Sequence, residues 1–86
     1  MPEISRFLGI IIAMYFNDHE PPHFRVRYGG FRSIIAIESL DVIAGRLHQR
    51  AYALVVEWTV KNRRELRYNW ARARRHEELL PIPPLE

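Results

Sequence analysis

No cysteine occurs in the 86 residues, which excludes disulfide staples and thiolate metal sites and leaves the core to aliphatic and aromatic side chains. A chain built that way suits a reducing compartment, so a cytoplasmic location of bacterial type is expected. Long apolar runs are missing as well. The longest, Leu8 to Phe16, has nine residues, where a membrane-spanning helix needs about 20, and no basic leader precedes it. Neither a membrane span nor a signal peptide is expected. Internal repeats are absent. At this length, with hydrophobic residues making up 48%, the chain can build one core but not two. The expectation is a single α+β domain over residues 1–80 with a Pro-rich extended tail over 81–86.

Charge is present but unevenly spread. The net charge of +3 conceals a near-neutral first half and a strongly basic element. Residues 46–75 hold nine basic side chains against Glu57 and Glu65, net +7, and the tail that follows adds Glu77, Glu78 and Glu86. Basic composition of this kind speaks to partners, not to fold or reaction.

The hydrophobic pattern has two periods. Gly9 to Phe16 is apolar at both alternating sets, Ile10/Ile12/Met14/Phe16 and Ile11/Ala13/Tyr15, as a central strand would be. Phe24 to Tyr28 and Phe31 to Ile37 flank Gly29-Gly30, a two-residue hairpin turn whose central positions need positive φ. In that register Tyr28 faces Phe31, Arg27 faces Arg32 and Val26 faces Ser33. Phe24, Val26, Tyr28, Phe31, Ile35 and Ile37 then share the core face, leaving His23, Arg25, Arg27, Arg32, Ile34 and Ala36 on the other. Leu40 to Leu47 fits either a short edge strand or a loop, with Gly45 ending any strand. These segments predict a small antiparallel sheet of three to four strands.

From about His48 to Arg75 the period becomes 3.6. Leu47, Ala51, Leu54, Val55, Trp58, Leu66, Trp70 and Ala73 form one apolar stripe, joined by Asn62 and Asn69. A C-terminal amphipathic helix is expected, or a helix pair if Asn62-Arg63-Arg64 is a break. Val56 and Val60 lie off the stripe, which implies a second packing partner: another part of this fold, another protein or another copy of the chain. Residues 81–86, with three prolines, cannot be helical and are expected to be extended or disordered.

Two features could carry chemistry. The segment Asn17 to Arg25 gathers two histidines, two acids and an arginine around Pro21-Pro22. His19 and His23 are candidate base and acid for metal-independent RNA cleavage, with Arg25 stabilising charge on phosphorus. The rival reading is structural: Asp18 and His19 shape the turn and His23 opens the next strand. No metal or other cofactor is expected, because Pro21-Pro22 forbids the helix that would align His19 with His23. The second feature is the arginine face opposite the stripe, Arg63, Arg64, Arg67, Arg74 and Arg75. With Arg27 and Arg32 these are candidates for binding RNA, DNA or an acidic partner, against the alternative of a solvated face.

The opening Met1-Pro2-Glu3-Ile4-Ser5-Arg6-Phe7, the run Gly9-Ile10-Ile11-Ile12, the Met14-Tyr15-Phe16 that follows and above all Asp18-His19-x-Pro21-Pro22-His23-Phe24-x-Val26-Arg27-Tyr28 closely resemble a bacterial family, domain of unknown function 4160. The likeness extends through Glu57-Trp58 and Asn69-Trp70. It implies a compact α+β domain encoded beside a second small protein, its cognate partner, in a toxin–antitoxin-like pair, and it marks Asp18, His19, Pro21, Pro22, His23 and Phe24 as the defining loop. Members usually carry a further histidine where this chain has Arg25, so a mechanism resting on three histidines does not carry over.

Overall fold

A computed structural model describes residues 2–86. Five strands run as an antiparallel meander, each paired with the next: β1 (Glu3–Phe7), β2 (Ile10–Ala13), β3 (His23–Tyr28), β4 (Phe31–Ala36) and β5 (Val42–Gly45), followed by one helix, α1 (Gln49–Arg74). The α+β class holds, but with five strands instead of three to four. The additional ones are at the edges. β1 was hidden because its turn, Leu8-Gly9, is not a usual turn dipeptide, although both residues adopt positive φ, 51° and 81°. β5 settles the ambiguity of Leu40 to Leu47 and does end at Gly45, whose φ is 79°. A Cβ there would lie 2.1 Å from the Arg32 carbonyl oxygen.

The central hairpin has the predicted register, Tyr28↔Phe31, Arg27↔Arg32 and Val26↔Ser33, but of its two turn glycines only Gly29 adopts the expected positive φ, 56°. Its core face buries Phe24, Val26 and Ile35. β2 is interior to the sheet, though shorter than the apolar run: Met14 to Phe16 leave the ladder, and Met14 turns into the core.

The helix lies across one face only. Trp58, fully buried, packs its ring 5.5 Å from Phe7 and 5.8 Å from Phe24, and each such side chain contributes about 1.5–3 kcal/mol. The expected break occurs at Asn62, where φ is −123° and ψ is 22° within an otherwise continuous helix. Its side-chain amide donates to the Trp58 carbonyl at 2.9 Å, occupying an acceptor at the bend.

The proline-rich tail is extended but not loose. Ile82 and Leu85 are buried in the core, and the Ile82 N–H donates to the Ile4 carbonyl at 2.8 Å. The Trp58 indole N–H donates to the Pro83 carbonyl. Asn69 answers both backbone groups of Leu80, donating to its carbonyl at 2.8 Å and accepting from its N–H at 2.9 Å. That pairing explains why an amide sits on the apolar stripe. The tail thus covers β1, whose backbone would otherwise be an open edge.

Candidate functional site

The loop between β2 and β3 is a hydrogen-bonded scaffold. His23 is 7% exposed and leans on the Trp70 ring at 5.1 Å. Its Nδ1 lies 2.7 Å from the Pro21 carbonyl and its Nε2 lies 2.9 Å from Asp18 Oδ2. Both neighbours are acceptors within the loop, so each ring nitrogen already has a partner. The same Asp18 oxygen accepts from Arg25 at 3.0 Å, while its other oxygen accepts from the His19 N–H. Burial alone would raise the Asp18 carboxyl, but hydrogen bonds from Arg25 and His23 outweigh it and hold the group below its ordinary value. The rest of the loop is anchored in the same way. Pro22 accepts from the Ile37 N–H, Glu20 pairs with Arg74 at 2.6 Å, Phe24 is in the core, and the Glu20–Pro21 peptide is cis.

The structure therefore brings His23 and Arg25 together through Asp18 and leaves His19 outside. The His19 side chain is exposed and makes no hydrogen bond among the described residues. Neither His19 nor His23 lines a cavity among those found. No group of three histidine or acidic side chains among the described residues is placed to hold a metal ion.

The arginine face of α1 is mostly occupied by the protein's own acids and carbonyls. Arg67 forms a fork on Glu38 at 2.6 and 2.7 Å, Arg63 donates to the Ile37 and Glu38 carbonyls, Arg74 meets Glu20 and Arg75 meets Glu77. Such exposed pairs add little stability, yet they cancel most of the charge that the sequence concentrates there. Arg64 alone of the five has no partner among the described residues. Val56 and Val60, off the apolar stripe, do not form one surface with the apolar Ile34 and Ala36 of the sheet. Val60 points outward from the helix, Ile34 is on the sheet face the helix leaves bare, and Ala36 is buried.

That bare face is where free charge collects. Cross-strand pairing aligns Arg6, Ile11, Arg27 and Arg32 in one transverse row, and Ala13, Arg25, Ile34 and Ala44 in the next. Arg6 is paired with Glu3. Arg27 and Arg32 stand directly opposite each other, both exposed, with no ion pair among the described residues. The two rows, Arg6 excepted, and Tyr15 border a depression of about 300 Å³. Its floor is aliphatic and its rim is Arg25, Arg27 and Arg32. The Arg25 guanidinium lies 4.2 Å above the Tyr15 ring and uses one N–H on Asp18, while its Nε is enclosed without a partner.

The profile of a family described as Domain of unknown function (DUF4160) matches residues 9–71. The chain belongs to this family. The DUF4160 match takes in the scaffold loop and nearly all of the open face, and it stops short of the tail. No curated protein and no solved structure matches the chain. In this chain Asp18, Pro21 and His23 form a chain of hydrogen bonds ending on Arg25. Sequence reading found Arg25, Arg27 and Arg32. It missed Tyr15 and Ala44, whose positions depend on where β2 ends and on the existence of β5.

Proposed function

We propose that this protein is a binding module, not an enzyme, and that its open sheet face takes single-stranded nucleic acid. The observation that carries this reading is the opposed, unpaired Arg27 and Arg32. Like charges directly across a ladder destabilise a sheet, and strands spaced about 4.8 Å apart set both guanidinium groups within reach of one phosphate or two successive ones. The aliphatic floor beside them, Ile11 and Ile34, supplies an apolar surface for a base next to the positive groove, as single-strand binders require. A ribonuclease using His19 and His23 has less support, because a proton shuttle needs a ring nitrogen free to meet substrate, and both nitrogens of His23 are engaged.

Fluorescence anisotropy with a labelled ten-nucleotide single-stranded RNA tests the proposal. Affinity should fall with salt, with a logarithmic slope of about −0.7 for each phosphate contacted. Arg27→Ala with Arg32→Ala should weaken binding and flatten the slope by roughly 1.4, whereas Arg64→Ala on the helix should change neither. Absent binding, or binding indifferent to Arg27 and Arg32, would overturn the reading. So would displacement of the RNA by polyglutamate at equal charge, which would indicate an acidic protein ligand.

A further inference from the structure

Resting on that reading, we infer that the depression takes a nucleobase and that Arg25 makes it prefer guanine over adenine. The cavity, about 300 Å³, is at the lower end of the range for small-ligand sites, which is room for one nucleotide and little more. Its walls divide by chemistry. Ile11, Ala13, Ile34 and Ala44 offer no hydrogen bond from their side chains, Arg27 and Arg32 stand at one side where phosphate would lie, and Arg25 reaches the other.

Arg25 differs from the other two arginines in being fixed. Asp18 holds one end of its guanidinium at 3.0 Å and the Tyr15 ring lies against its plane at 4.2 Å. Its side chain is 32% exposed, so it is partly enclosed yet open to the depression. Of the five N–H donors of a guanidinium, Asp18 takes one. An immobilised group that can only donate discriminates between bases by their acceptors. Guanine presents O6 and N7 side by side, whereas adenine places an amino donor beside N7. A mobile surface arginine would show no such preference, since it could turn to a phosphate instead. Asp18 is therefore a positioning residue for specificity, and the His23 and Pro21 contacts behind it hold the carboxylate in place.

The test uses two ten-nucleotide oligouridine RNAs, each with a single central guanosine or adenosine, bound to the full chain. The guanosine RNA should bind more tightly by about five- to 150-fold, the range contributed by a well-formed bidentate base contact. Arg25→Lys keeps the charge and removes the planar fork, and the ratio should collapse toward one. Asp18→Asn releases the guanidinium and should lower the same ratio, with circular dichroism confirming that both variants are folded. Equal binding of both RNAs by the wild type would overturn the inference and leave the open-face reading intact. So would a guanosine preference that persists in Arg25→Lys. Failure of every RNA to bind would instead remove the proposed function itself.

Discussion

Asp18 shows how a residue that looks like part of an acid–base set can do a different job. Its carboxylate accepts from His23, Arg25 and the His19 backbone at once, and the resulting depression of its pKa has a definite sign. The folded carboxyl titrates below the unfolded value of 3.8. The stabilisation is therefore complete above about pH 4 and is lost as pH falls through the folded value. Asp18→Ala leaves buried donors on His23 and Arg25 unanswered and should cost about 1–3 kcal/mol at pH 7. In urea titrations the gap between variant and wild type should persist at pH 5 and narrow toward pH 2. A gap that is constant across that range would assign the loss to packing instead of charge.

At the scale of elements, the hairpin of β3 and β4 was legible because Gly29-Gly30 and the alternating side chains fix one register. The stripe and the break of α1 were legible for the same kind of reason. What stayed hidden was set by long-range contacts. Leu8 occupies a left-handed turn position, φ 51°, while 63% exposed, so neither its type nor its neighbours announced the β1–β2 turn. Leu8→Asn, a residue that tolerates this conformation, should stabilise the fold by about 1 kcal/mol and raise the thermal midpoint by about 4–8 °C. An unchanged or lower midpoint would argue against strain at that turn. The tail is extended, one of the two expected forms, but its docking stayed hidden because prolines exclude helix without saying whether an extended segment is docked. Its docking depends on Asn69, 11 residues away from Leu80 in sequence, and on burial of Ile82. Ile82→Ala should cost about 2–4 kcal/mol in urea denaturation, against less than about 0.5 kcal/mol for a residue in a free end.

Across the whole molecule, the arrangement assigns opposite roles to two sets of arginines. Those concentrated in α1 are largely internal clamps, tying the helix to Glu20, Glu38 and Glu77. Those scattered through β3 and β4 converge, by register, on the one sheet face that carries no helix. Regional net charge picked out the first set, and cross-strand geometry picks out the second. No helix among the described residues is long and apolar enough to cross a membrane. Backbone amide spectra recorded while a ten-nucleotide single-stranded RNA is added would separate the two sets directly. Shifts should concentrate at Ile11, Tyr15, Arg25, Arg27, Arg32, Ile34 and Ala44. Shifts confined to Arg64, Arg67 and Tyr68 on the helix, with the sheet face silent, would contradict the account.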